Sequence, residues 1–190
     1  MKINSAEFTR GIVGTDTIVT DGVPQIAFVG RSNVGKSSII NALVNRKDLV
    51  KVSKEPGKTT EINFFSINRG ACYFVDLPGY GYAKKSPKEK EKIEKLILWY
   101  LMYSGARPQC VALILDVKAG LTDFDKEMLR VLREKGHPVV IIANKIDKVN
   151  QKELSAQVRA IGEAAHETIV IPYSTVEKKG TDALLDALFQ

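Results

Sequence analysis

The sequence predicts an α/β fold of three layers: a mostly parallel sheet of six strands, one of them antiparallel, with helices on both faces. Three observations carry this. Short, β-branched-rich apolar runs alternate with segments of helical periodicity. The connections between them are brief. A glycine-rich loop, GRSNVGKS at 30–37, joins one such run to a helical segment. Strands buried on both faces read as near-continuous apolar runs, and strand–helix alternation generates parallel order.

The elements follow in order. QIAFVG (25–30), CYFVDLP (72–78), CVALILD (110–116), PVVIIAN (138–144) and TIVIPYS (168–174) are the expected parallel strands. EINFFSIN (61–68) alternates and meets the next run through Arg69-Gly70, so it is expected as an antiparallel hairpin partner. After Gly35 a helix presents Ile39, Ile40, Leu43 and Val44 on one face. A second helix, 87–103, has Ser86 as N-cap, Pro87 at its first position and Glu89 closing a capping box. Its apolar stripe is Ile93, Leu96, Ile97, Tyr100 and Leu101. Helix 122–136 is expected to bury Phe124, Met128, Val131 and Leu132 and to stop at Gly136. Leu154, Val158, Ile161 and Ala165 mark the next helix, and TDALLDALF closes the chain from a Thr181 cap. Residues 1–190 are expected as one domain, with 1–23 a short N-terminal extension packed on it. Residues 47–60, KDLVKVSKEPGKTT, are expected as a long mobile loop of functional use.

Composition narrows the classes. The chain has 190 residues, 44% hydrophobic and 26% charged, as soluble domains do. Its net charge of +6 favours an anionic partner such as nucleic acid. Cys72 and Cys110 sit in apolar runs and read as buried thiols, not a disulfide or metal pair; His137 and His166 have no ligand-spaced neighbours. No signal peptide or membrane span is recognised, so a cytoplasmic protein is expected.

GRSNVGKS fits G-x-x-x-x-G-K-[ST] in its required setting, after a strand and before a helix. Gly30 and Gly35 permit the tight backbone that turns amide N–H groups toward phosphate, reinforced by the helix N-terminus. Lys36 would reach the β- and γ-phosphates and Ser37 would hold Mg²⁺. NKID (144–147) follows a strand directly. Asn144 can meet the base edge near N7, and Lys145 can lay its stem along the ring. Asp147, expected to be buried, accepts from N1–H and the N2 amine of guanine. Adenine lacks those donors and would leave Asp147 unpaired. Tyr173, Ser174 and Thr175 follow the last strand and offer backbone N–H to O6.

DLPG (76–79) supplies a carboxylate, Asp76, that could hold Mg²⁺ through a water, and the Gly79 N–H that could sense a γ-phosphate. Thr59 or Thr60 could place a hydroxyl on Mg²⁺ only while GTP is bound, an order–disorder switch. The next residue, Tyr80, stands where such loops often carry a water-orienting glutamine. It cannot act as a base at neutral pH or copy an amide, so slow intrinsic hydrolysis is expected, rescued by a partner or by another charge-stabilising group. Asn33 is a candidate to hold a monovalent cation beside the phosphates, or only to shape the loop. A nucleotide-binding module with negligible turnover is the competing reading. A phosphotransferase lacks an acceptor motif, and no G-x-G-x-x-G follows a strand to suit a dehydrogenase.

GRSNVGKS, PGKT, DLPGYGYAK and NKID together resemble the EngB (YihA/YsxC) family of bacterial GTPases over essentially the whole chain. The resemblance implies a Ras-like P-loop NTPase fold and GTP/GDP binding with Mg²⁺. It implies a hydrophobic residue in place of the catalytic glutamine. It further implies a role in assembling the large (50S) ribosomal subunit, binding that subunit or its precursor, and a link to cell division and septation. The nucleotide contacts it implies are Gly30, Arg31, Ser32, Asn33, Val34, Gly35, Lys36, Ser37, Ser38, Gly57, Lys58, Thr59, Asp76, Leu77, Pro78, Gly79, Asn144, Lys145, Asp147, Tyr173, Ser174 and Thr175. Lys36, Thr59 and Gly79 would serve catalysis; Ser37, Thr59 and, through water, Asp76 would serve Mg²⁺. The family's magnesium threonine falls on Thr59, not Thr60. Potassium-stimulated relatives carry an asparagine at the place of Asn33, which makes K⁺ a candidate ligand there. Many members have Thr where Asn144 stands. A monomer without membrane association is expected. In KKSPKEKEKIEK (84–95), Lys84 and Lys85 are the candidates for RNA phosphate contacts that vary with nucleotide state.

Overall fold

A computed structural model describes residues 1–50, 60–81, 85–166 and 168–190. Seven strands form one sheet: β1 (Ala6–Ile12), β2 (Gln25–Gly30), β3 (Ile62–Ile67), β4 (Cys72–Asp76), β5 (Cys110–Asp116), β6 (Val139–Asn144) and β7 (Ile169–Tyr173). The helices are α1 (Lys36–Leu43), α2 (Pro87–Leu98), α3 (Asp123–Glu134), α4 (Gln151–Ala164) and α5 (Thr181–Leu188). The order across the sheet is β1-β3-β4-β2-β5-β6-β7. Among the described strands only β3 runs against the others, since it pairs antiparallel with both β1 and β4. The expected fold class and the single reversed strand are borne out.

The strand count is one more than expected. The extra strand is β1, whose middle residues are exposed and whose ends, Ala6 and Ile12, are buried. So little apolar pattern could not announce a strand. It forms because β3 would otherwise be left as an unpaired edge, and pairing satisfies its backbone groups.

Alternation along the strands sends side chains to two cores. Ala27, Val29, Val111, Leu113 and Leu115 face one cluster, beneath α2, α3 and α4. Ile26, Phe28, Ala112 and Ile114 face the other, beneath α1 and α5. Both faces are covered, which is why the central strands are apolar throughout.

Local signals account for most helix boundaries. The Ser86 Oγ accepts from the Glu89 N–H, and the Glu89 carboxylate accepts from the Ser86 N–H, so the expected capping box is present. Beyond Leu98 the chain continues as a π-type turn, Trp99–Tyr103. Two expectations need correction. Phe124 is 58% exposed, while Asp125, Leu129 and Leu132 face the sheet. The buried positions at i, i+4 and i+7 begin with a carboxylate, because Asp125 has a specific partner described below. The last helix is capped by Gly180 at φ 88°, not by Thr181, whose Cβ could not accept that left-handed backbone without strain. Cys72 and Cys110 are buried free thiols, each pushed by burial to a pKa of about 11. No helix among the described residues is long and apolar enough to cross a membrane.

Candidate functional site

Parallel strands place their carboxyl ends along one edge of the sheet, where loops can converge on a ligand. Gly30, Asp76, Asp116, Asn144 and Tyr173 are all strand-terminal there. The register sets Phe28 opposite Asp76, Asp116 opposite Asn144, and Asn144 opposite Tyr173. The phosphate loop and the base-reading loop are thus brought side by side.

The loop 30–37 bends in two different ways. Gly35 has φ 98° and caps α1, a conformation that favours glycine. Gly30 has no positive φ; it is small because a Cβ there would lie 2.7 Å from the Ile114 carbonyl oxygen. Gly35→Ala is expected to lose about 2 kcal/mol of stability from the left-handed backbone alone. Its new Cβ would also meet the Asn144 amide, so nucleotide affinity should fall further than stability does. Thermal melts beside nucleotide titration check this.

Two side chains of the NKID loop stitch it to the phosphate loop. Asn144 Nδ2 donates to the Val34 carbonyl at 2.8 Å, and Lys145 Nζ donates to the Asn33 carbonyl at 2.8 Å. Lys145 also pairs with Asp116 at 2.8 Å. Burial pushes the Asp116 carboxyl up, but the Lys145 bond and charge, with the Lys118 N–H, leave it below its ordinary value. Asp116 therefore stays ionised and aims Lys145. It was not singled out from sequence, although it ends its apolar run as Asp76 ends another.

Asp147 is exposed, where burial was expected; the base itself would cover it. Ser174 Oγ donates to Asp147 Oδ1 at 2.6 Å, leaving Oδ2 for N1–H and N2. The Ser174 N–H donates to the Lys179 carbonyl at 3.1 Å. The N–H that remains to face O6 would be that of Thr175. Tyr173 and Ser174 are fully buried and support the loop from below.

On the phosphate side, Lys36 Nζ pairs with Asp76 Oδ1, and both side chains are buried. Asp76 Oδ2 is buried with no hydrogen-bond partner among the described residues. An orphaned carboxylate oxygen beside a phosphate loop suits a hydrated divalent cation, so the residues present fit Mg²⁺. Ser37 and Ser38 lie in the first turn of α1. Gly57, Lys58, Thr59 and Lys84 lie outside the described residues.

DLPG runs against the phosphate loop. Leu77 and Pro78 are buried, and the Leu77 N–H donates to the Phe28 carbonyl at 3.1 Å. Gly79 sits on Ser32, where a Cβ would come within 3.0 Å of the Ser32 Cα. Ser32 N–H donates to the Tyr80 carbonyl at 2.9 Å, and Arg31 and Tyr80 form a parallel bridge. The Tyr80 ring points into the core, 4% exposed, and its hydroxyl donates to Asp125 Oδ1 at 2.7 Å. Burial and then the Asp125 charge push the Tyr80 hydroxyl well above its usual pKa, with Arg31 offsetting a little. A neutral hydroxyl committed to Asp125 is not a base.

Comparison with known proteins agrees with this arrangement. A family described as "50S ribosome-binding GTPase" matches residues 25–145, and one described as "Elongation factor Tu GTP binding domain" matches residues 101–190. The "Probable GTP-binding protein EngB" of Clostridium perfringens (strain 13 / Type A) is 44% identical over 196 residues, covering 100% of this chain and 96% of the relative. The crystal structure of a probable GTP-binding protein engB matches with a TM-score of 0.73 at 27% identity, over 87% of this chain and 96% of that one. Era in complex with MgGDPNP and a segment of 16S ribosomal RNA shares the fold, with a TM-score of 0.70 at 24% identity, over 87% of this chain and 55% of that one. The chain binds guanine nucleotide and hydrolyses GTP to GDP and phosphate: it belongs to the EngB family of GTPases.

Proposed function

We propose that the chain is a single G domain working as a slow GTPase, and that its nucleotide state gates binding to the large ribosomal subunit or its precursor during assembly. Normal cell division and septation would depend on that role, exercised in the cytoplasm. The observation that carries slow turnover is the Tyr80 side chain, buried with its hydroxyl on Asp125, its only side-chain hydrogen-bond partner among the described residues. A partner, or K⁺ near the exposed Asn33, would have to supply the missing transition-state stabilisation.

Phosphate recognition would use Lys36, the backbone of 30–37 and the Gly79 N–H. Ser37, Asp76 through water, and Thr59 would hold Mg²⁺, which would neutralise developing phosphate charge. Asn144, Lys145, Asp147 and Thr175 would read the base. Lys36 would have to leave Asp76 when phosphate arrives, freeing that carboxylate for the hydrated metal.

Support for an RNA partner comes from α2. Lys88, Lys92, Lys95 and Trp99 recur along one face and, with Val13–Thr15, line an open groove of about 470 Å³, in which Glu91 pairs with Lys95 and leaves Lys88 and Lys92 as the lysines best placed for phosphate. Lysines beside a partly exposed indole suit phosphate contact with base stacking. Lys85 lies just ahead of this face, next to the second switch.

Co-sedimentation with purified large subunits tests the reading. Binding is expected with a non-hydrolysable GTP analogue and not with GDP. Affinity should fall on the order of 10-fold or more between 50 and 200 mM salt if about three phosphates are neutralised. Equal or absent binding in both nucleotide states would sink it.

A further inference from the structure

Asp125 is a buried carboxylate on α3 to which no part in nucleotide recognition has been assigned above. It is 1% exposed and fully engaged. Its Oδ2 accepts from the Thr122 N–H at 3.1 Å and the Thr122 hydroxyl at 2.6 Å, capping α3. Its Oδ1 accepts the Tyr80 hydroxyl at 2.7 Å. A capping residue needs only one of these oxygens, and capping residues are normally solvated. Here the second oxygen is committed to a residue 45 positions away in the chain, directly after the glycine that would sense a terminal phosphate.

The backbone around that glycine is held from both sides. Toward the phosphate loop, Tyr80 N–H donates to Gly30 O at 3.4 Å and Ser32 N–H donates to Tyr80 O at 2.9 Å. Toward the core, the only polar anchor of the Tyr80 side chain among the described residues is Asp125. Gly79 precedes Tyr80 and faces Ser32, so closely that an added Cβ would lie 3.0 Å from the Ser32 Cα. A displacement of the Gly79–Tyr80 backbone from the phosphate loop would break the Tyr80 backbone bonds to Gly30 and Ser32 and pull on the Tyr80–Asp125 bond, so that bond opposes it.

We propose that Asp125 is a positioning residue for GTP recognition: by holding the Tyr80 hydroxyl it keeps Gly79 seated on the phosphate loop, and so raises the affinity for GTP relative to GDP. The pair acts on the nucleotide only through the Gly79 backbone. A loosened tether lowers the fraction of molecules with Gly79 in place, and apparent affinity falls by that fraction. GDP, having no γ-phosphate, does not draw on it. The proposal rests on the GTPase assignment and is independent of any ribosomal partner.

Tyr80→Phe tests it, since it keeps the packed ring and removes only the hydroxyl. Affinity for a fluorescent non-hydrolysable GTP analogue is expected to fall about 5-fold, as it would if the competent fraction dropped to roughly one in five. Affinity for the matching GDP should stay within about twofold. Asp125→Asn should shift the same ratio, and the double variant should be no worse than the poorer single one, as for two ends of one contact. Thr122→Ala is the control. It weakens the α3 cap and should lower the melting temperature without moving the GTP/GDP ratio. Equal losses for both nucleotides, a ratio that Thr122→Ala moves as much, additive single effects, or tighter GTP-analogue binding in Tyr80→Phe would each overturn the proposal.

Discussion

Lys36→Ala is expected to lower the melting temperature of the nucleotide-free protein by about 6–20 °C and to abolish the stabilisation that GDP or GTP confers. The side chains of Lys36 and Asp76 are 8% and 1% exposed, so truncating the lysine leaves an unpaired carboxylate in the core. Breaking a buried pair in this way costs about 3–5 kcal/mol, and in a chain of this size each kcal/mol moves the midpoint by about 2–4 °C. Alanine is a good helix former at the first position of α1, so the loss comes from charge and not from propensity. Adding Asp76→Asn should recover much of the melting temperature, because the orphan is then neutral, while nucleotide binding stays lost. Calorimetry of the single and double variants, with and without GDP, separates the two effects. An unchanged midpoint in the single variant would show that the pair is not what holds Asp76 in the core.

Asp147→Asn is expected to weaken GDP binding by about 10²–10³-fold and to make xanthosine diphosphate the better ligand. The carboxylate accepts two donors from guanine; an amide nitrogen in its place meets those donors with another donor. Xanthine offers a carbonyl at C2 instead of an amine, which such an amide can satisfy. Ser174 Oγ can still donate to the remaining side-chain oxygen, so the residue keeps its orientation. Asp147 is exposed, and the folded chain should change stability by no more than about 0.5 kcal/mol. Titration with both diphosphates reads the preference; a parallel loss for both would mean that Asp147 does not read the base edge.

What could be read from the chain was local. GRSNVGKS, DLPG and NKID are runs of consecutive residues at strand ends, and their chemistry follows from residue type and spacing. The capping box at Ser86 and Glu89 is legible for the same reason. Asp116 was also within reach, since it ends a strand beside Asn144, but a lone terminal aspartate carries no spacing to distinguish it. Asp125 was not, because a charged residue in the first turn of a helix ordinarily reads as solvated.

The sequence by itself determined the α/β class, the six strands with strong apolar pattern, and the loops that meet phosphate and guanine. Each depends on interactions within a few residues of one another. Tertiary structure decided the rest. It made β1 a seventh strand by offering it the open edge of β3, buried Asp125 by bringing Tyr80 to it, and left Phe124 in solvent. It also joined Lys145 to Asn33 and Asn144 to Val34, contacts that span more than a hundred residues. Those outcomes hinge on which surfaces the folded sheet brings together. A backbone edge or a buried hydroxyl takes the partner that satisfies it, and no local pattern records where that partner will be.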